Sequence, residues 1–398
     1  MDGKLKSIKK KNIKDIDLYN KKILLRTDYN VPLNSDTGQI SDDVRIRESI
    51  PTLQYLIKNQ CKILICSHLG RPKGKIIKEL SLFPIANRLS ALLNMQVELQ
   101  NIEDININNK DIKKITLLEN IRFYAEEEDN NTNFARKLAS FADIFVNDAF
   151  GTAHRAHASI TGIAKFIPSV AGLLFSKEID ILKNLLYTPK KPFTAIIGGA
   201  KVSDKIGVLD NLINLAENII IGGGMASTFI YAKRPPLNNI EIDNKEIKQA
   251  KILLKKSRNL NVKIHLPQDV VIGKEFKENT EFKNIKSTEV KKDELIMDIG
   301  HESILEFQAV LKSSKTILWN GPMGVFEWHN FSNGTYKMAN TVANLKGITT
   351  IIGGGSTAEV FGKLNLENSI SHISTGGGAT LEFLEGKLLP GYAALLNN

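Results

Sequence analysis

Arg26, Asp28 and Asn30 alternate in the string RTDYN, so an extended chain projects all three from one face as a row of cationic and hydrogen-bonding groups. Further along come Arg45 in DDVRIRES, His68 and Arg71 in SHLGRP, Arg122 in ENIRF, and His154, Arg155 and His157 in GTAHRAHAS. Guanidiniums gathered in one place repel one another unless an anion lies between them, and their forked donors match carboxylate and phosphate oxygens in pairs. A small, multiply anionic substrate is the expected occupant. A single arginine is more often a surface side chain or a structural ion pair, but the same chemistry recurring at separate strand ends argues against that reading. His154 and His157 have a spacing that could ligate a metal. Arg155 stands between them, however, with no thiol or carboxylate cluster nearby, so packing or anion contact is expected.

The second half carries different chemistry. Glycine clusters occur at Gly198 and Gly199, at 222–224, at 353–355 and at 376–378, each between a strand-like run and a helix-like one. Backbone can approach a phosphate closely at such turns, and a helix start adds unpaired N–H groups and a positive dipole end. Tight strand-to-helix turns need glycine anyway, so one cluster says little; their recurrence in one region suggests a nucleotide. Lys201 and Lys205 follow the first cluster at i and i+4, which would set both ammonium groups on one side of a helix start, suited to a polyphosphate. Glu327, in NGPMGVFEWHN, could hold a ribose diol, although a surface carboxylate meets the same description. No G-x-x-x-x-G-K-[ST] loop, no protein-kinase H-R-D or D-F-G set, and no G-x-G-x-x-G opening the first strand–helix unit is present.

The elements that must position these residues alternate from end to end. Strand candidates are 22–32, 62–72, 114–123 and 143–151 in the first half, and 193–201, 218–225, 315–324, 349–357 and 370–378 in the second, separated by helix-like stretches. That alternation predicts an α/β protein with two doubly wound parallel-sheet, Rossmann-like domains, and 398 residues exceed what one core usually serves. The amphipathic stretch LLFSKEIDILKNLL, followed by TPKKP, reads as a hinge helix between them. The expected organisation is a first domain over 1–172, helix and linker over 173–190, a second domain over 191–385, and a tail over 386–398. Ligands in such sheets bind outside the carboxyl ends of the strands, which is where the arginines and glycines fall.

Composition excludes other classes. The formal charge of +10 is spread without a basic stripe interleaved with aromatics, so no nucleic-acid partner is expected. No apolar run reaches membrane-spanning length and no apolar segment follows the N-terminal lysines, so a cytoplasmic protein without membrane contact is expected. Cys61 and Cys66, in CKILIC, fall on opposite faces of an extended segment and read as buried thiols. Nothing demands an oligomer, and a monomer is the default.

The strings RTDYNVP, SHLGRP, LLENIRF, NDAFGTAHRAHAS, GGAKVSDKI, GGGMASTF, ILWNGPMGVFE and STGGGATLEFLEGKLLPG resemble, in order, the signatures of the phosphoglycerate kinase family. The resemblance implies that Arg26, Asp28, Asn30, Arg45, His68, Leu69, Gly70, Arg71, Arg122 and Arg155 hold 3-phosphoglycerate. It implies that Gly198, Ala200, Lys201, Lys205, Gly222, Gly223, Asn320, Glu327, Gly353, Gly354, Gly355, Ser356 and Thr357 serve ATP or ADP with Mg²⁺, Glu327 on the ribose hydroxyls and Gly376, Gly377 and Gly378 as an anion loop. The implied reaction is reversible in-line transfer of a phosphoryl group between 1,3-bisphosphoglycerate with ADP and 3-phosphoglycerate with ATP, after hinge closure. Arg45 and Lys201 would stabilise the transferring group, and the tail would return to the first domain. One departure stands out: the family usually has GGGDT where this chain has GGGST, so Ser356 replaces a carboxylate expected to help hold Mg²⁺. The alternatives are a non-catalytic phosphate-binding or scaffold protein on the same fold and, against the missing early glycine motif, a dinucleotide-dependent dehydrogenase.

Overall fold

The computed structural model describes residues 4–34, 36–105, 115–233, 244–291 and 293–397. The chain forms two compact units, Met1–Lys183 with Lys387–Asn398, and Asn184–Gly386. The division falls inside the helix Leu173–Tyr187.

In the first unit six strands, β1 (Lys22–Arg26), β2 (Lys62–Cys66), β3 (Glu98–Gln100), β4 (Ile115–Leu118), β5 (Ile144–Asn147) and β6 (Ser169–Ala171), form one sheet in the order β3-β4-β2-β1-β5-β6. Every pairing is parallel. Parallel strands need crossover connections, so helices cover both faces and the strands read as unbroken apolar runs such as KILLR and KILIC. Alternate residues of those runs feed two cores: Ile23, Leu25, Cys61, Ile63 and Ile65 on one side, Leu24, Leu64 and Cys66 on the other. The two thiols thus lie on opposite faces, both buried and free. The strand candidate over 114–123 is β4, its first residue lying outside the described ones.

The C-terminal segment joins this unit: Leu396 donates its N–H to the Ser169 carbonyl and accepts from Lys11. The Tyr392 hydroxyl reaches the Ile8 carbonyl at 3.0 Å.

The second unit also has one six-stranded parallel sheet but in a different strand order, with β7 (Phe193–Ile197), β8 (Asn218–Ile221), β9 (Lys263–His265), β13 (Thr316–Asn320), β14 (Thr349–Gly353) and β15 (His372–Ile373) arranged β15-β14-β13-β7-β8-β9. Between β9 and β13 the chain adds a three-stranded antiparallel sheet of β10 (Asp269–Gly273), β11 (Phe282–Lys286) and β12 (Leu295–Ile299), which the periodicity does not announce. Its β11, FKNIK, is mostly exposed and carries no buried apolar run. No helix among the described residues is long and apolar enough to cross a membrane.

Candidate active site

In the first sheet β1 lies between β2 and β5, with Arg26 level with Cys66 and Asn147. The chain leaves in opposite directions on either side of β1, and the carboxyl ends there open a crevice. Arg26 is fully buried in it. Its Nε donates to Ser159 Oγ at 2.8 Å, one terminal nitrogen donates to the Thr27 carbonyl, and the other stands 3.4 Å from His68 Nδ1.

β1 ends at Arg26, so the expected row of Arg26, Asp28 and Asn30 on one extended face does not form. Asp28 and Asn30 lie in the following loop and join the site by their own contacts. Arg45, in the first turn of the helix Val44–Lys58, donates to Asp28 Oδ2 at 3.0 Å and to the Asn30 carbonyl at 3.1 Å. Asn30 Oδ1 accepts the Gly70 N–H at 2.9 Å, and Arg122 Nη1 donates to the Gly70 carbonyl at 2.8 Å. Asn120, absent from the expected set, ties these loops together: Nδ2 donates to the carbonyls of Leu69 and Leu80, and Oδ1 accepts the N–H of Arg122. Arg155 is half-buried and Arg71 exposed.

The electrostatics follow from this crowding. Burial, and then the charges of Arg26, Arg122, Arg45 and Arg155, push the His68 imidazole well below its ordinary range. His68 is therefore neutral near pH 7 and can accept at Nδ1. Burial and the charges of Arg122, Arg155, Arg26 and His154 likewise bring His157 down to about 4. Arg122 itself drops to about 10, through burial and then Arg26 and Arg155. Its Nε is buried and meets Glu128 only at ion-pair distance, 3.5 Å. An anion placed among these groups would offset the mutual repulsion of the cations, the part of these shifts that burial does not cause.

In the second unit the strand ends are also level: Asn320 stands in register with Ile197 and Gly353. The glycines there divide into two kinds. A Cβ at Gly198 would lie 2.0 Å from the Pro322 carbonyl oxygen and one at Gly222 would meet Met323 at 2.5 Å, so both serve close packing. A Cβ at Gly355 would meet nothing within 4 Å, at the start of the nine-residue helix Gly355–Lys363. That N-terminus is open to an approaching phosphate. Gly377, before the shorter helix Gly378–Leu384, is equally open.

The lysines differ from expectation. Lys201 precedes a 3₁₀ turn over Ser203–Lys205, and the α-helix begins only at Ile206. Lys201 and Lys205 therefore do not share one face of an α-helix. Lys201 is exposed, whereas Lys205 is half-buried and donates to Asn320 Oδ1, burial drawing its ammonium below the usual lysine range. Asn320 Nδ2 is buried without a partner, a donor aimed at the same strand-end region as Gly353 and Gly354. Thr357 turns inward, its hydroxyl accepting the Gly321 N–H at 2.8 Å, and Glu327 and Ser356 are exposed.

Among the described residues no group of three or more His, Cys, Asp or Glu side chains gathers as a metal site. Near the open helix start Ser356 supplies a neutral hydroxyl, so this donor set does not by itself fit a resident Mg²⁺.

Residues 13–387 match the family profile described as Phosphoglycerate kinase. The chain is 46% identical over 396 residues to the phosphoglycerate kinase of Pelotomaculum thermopropionicum, covering 98% of this chain and 99% of that protein. It is 47% identical over 395 residues to the Arabidopsis thaliana protein named phosphoglycerate kinase 3, cytosolic, covering 96% of this chain and 97% of that one. Its fold matches the structure of phosphoglycerate kinase from Coxiella burnetii with a TM-score of 0.85 at 38% identity, over 97% of this chain and 98% of that one.

Proposed function

The chain belongs to the phosphoglycerate kinase family, and from that premise we propose that its two ligands divide between its two units, 3-phosphoglycerate at the arginine site and the nucleotide at the glycine-rich strand ends. The activity is phosphoryl transfer between ATP and 3-phosphoglycerate. One observation carries the assignment of the acid: buried Arg26 stands 3.4 Å from His68 Nδ1, while Arg45 and Arg122 are tied to the neighbouring Asp28, Asn30 and Gly70, a gathering of guanidiniums that a small polyanion neutralises and water does not.

In this reading Arg26, Arg122, Arg155 and the Arg45–Asp28 pair orient the substrate, with Asn30, Leu69, Gly70 and Arg71 lining it. A carboxylate oxygen attacks the γ-phosphorus in line while the bond to the bridging oxygen of ADP breaks. Charge spreads over the three equatorial oxygens, so Arg45 and Lys201 act by lowering the energy of that arrangement. Lys205, Asn320, the open N–H groups at 355–357 and the loop at 376–378 serve the phosphates, and Glu327 the ribose. Ser356 offers only a neutral hydroxyl, so any Mg²⁺ would have to come with the nucleotide and would supply charge neutralisation at its phosphates. Because the sites lie on different units, transfer requires a closure that brings them together and excludes water. In the cell the reading gives a cytoplasmic monomer acting on small molecules, and free buried thiols suit a reducing compartment.

The test is Arg45→Ala, measured by coupled turnover and by nucleotide titration. We expect kcat to fall on the order of 10³-fold with nucleotide affinity unchanged; an equal loss in both would overturn the role given to Arg45.

A further inference from the structure

Behind the arginine site lies a carboxylate with no part in the proposed transfer step. Glu127, in the short helix Ala125–Glu128, is completely buried. Its Oε1 accepts the Ser159 hydroxyl at 2.6 Å and its Oε2 the Ser159 N–H at 2.8 Å. Ser159 Oγ in turn accepts Arg26 Nε–H at 2.8 Å. The direction of the chain is fixed by its ends. Arg26 can only donate, so the serine hydroxyl hydrogen must point to Glu127, and both carboxylate oxygens are then acceptors. A protonated carboxyl would aim a hydrogen at a group that is itself donating, so the geometry suits the ionised form. Burial is the largest influence and on balance raises this carboxyl, against the opposing pull of the Arg26 charge, the two Ser159 hydrogen bonds and Arg122; the ionised form is read from the direction of the hydrogen bonds. Its charge also reaches Arg122, and the neutral His157 stands 3.7 Å from Oε1.

We propose that Glu127 is a positioning residue for phosphoryl transfer: acting through Ser159, it fixes the Arg26 guanidinium in its substrate-orienting pose and offsets the repulsion between Arg26 and Arg122 while no substrate is bound. This rests on the assignment of the acid to the arginine site. Two effects of Glu127 oppose each other. As a nearby negative charge it weakens anion binding, and as an anchor it strengthens binding that depends on arginine geometry. A bidentate contact tolerates little misplacement, so the anchor dominates.

Glu127→Gln weighs the two against each other, because the amide keeps the shape but removes the charge and also turns one acceptor into a donor facing a donor, whereas Ser159→Ala cuts the anchor and keeps the charge. The full-length variant should show KM for 3-phosphoglycerate raised about tenfold, as expected for loss of one charge-assisted hydrogen bond, with KM for MgATP unchanged. Ser159→Ala should move KM in the same direction, and the double variant should be no worse than Glu127→Gln alone, since both cut one chain. An unchanged or lowered KM for the acid, or an equal rise for both substrates, would overturn the proposal. If Glu127→Gln does not fold, Ser159→Ala with unaltered KM overturns it equally. Arg26→Ala run alongside separates the layers. A raised KM there with no effect at Glu127 and Ser159 refutes the anchor alone, whereas no effect at any of the three refutes the substrate assignment as well.

Discussion

Buried ionisable residues set the chemistry and the pH response of this protein, and they act in opposite senses. His68 and His157 are held neutral by burial and by arginines, so each loses native stability as pH falls below the ordinary imidazole range, where only the unfolded chain takes up the proton. Asp298 is the reverse: burial lifts its carboxyl from 3.8 to about 7. Between those values the native state keeps a proton that the unfolded state has released. Its contribution is therefore full below about pH 4 and lost as pH rises through 7. Asp298→Asn should remove that loss, so that between pH 5 and pH 8 the wild type loses more stability than the variant, by roughly 1–3 kcal/mol. Trp319 and Trp328 are the chain's two tryptophans and both lie in the second unit, so denaturation followed by tryptophan fluorescence reads it directly; identical pH dependence in both proteins would refute the expectation. The arginines were legible in sequence because clustered guanidiniums carry their meaning in their type. Asp298, Glu127, Ser159 and Asn120 were not, because a buried polar group is recognisable only once its partners are known.

At the scale of elements, the strands that carry function were legible because parallel strands buried on both faces are continuous apolar runs, and all nine expected ones lie in the two sheets. The three-residue β3, β6 and β9 are too short to show a period, and β11 is largely exposed, so the antiparallel sheet left no signal. That sheet still fixes the segment on which the proposal places the ribose contact. Asp298, on β12, accepts the Gly334 N–H at 2.7 Å, and the Met297 carbonyl accepts that of Val325 at 2.8 Å, pinning the segment that carries Glu327. The turn after β7 misled for another reason: spacing of i and i+4 means proximity only within a helix, and the helix begins after Lys205. At the helix Gly355–Lys363 the exposed Ser356 stands at an N-terminus that favours negative charge. Ser356→Asp should lower the Mg²⁺ concentration needed for half-maximal turnover, on the order of a few-fold, because a carboxylate is a better ligand for a hard dication. A Mg²⁺ titration with the same midpoint in both proteins would show that nucleotide phosphates and water already hold the ion unaided.

For the whole molecule, the two units each have one six-stranded parallel sheet and differ in what their strand ends present, cations in one and open backbone donors in the other. That difference could be seen in the sequence, whereas the route of the chain's end into the first unit, through Leu396 and Tyr392, was carried only by the family resemblance. The chain passes from one unit to the other within the helix Leu173–Tyr187, and under the proposed division of substrates a kinase built this way would have to bring together two ligands held on separate units. On that proposal neither ligand alone would span both sites, so the contacts that favour closure would be complete only with both bound. Small-angle scattering on the full-length protein tests this most directly, comparing it free, with 3-phosphoglycerate, with MgADP, and with both in a complex that cannot turn over. The expected result is a smaller radius of gyration with both ligands than with either alone; an unchanged radius with both bound would contradict the division of substrates between the two units and the closure built on it.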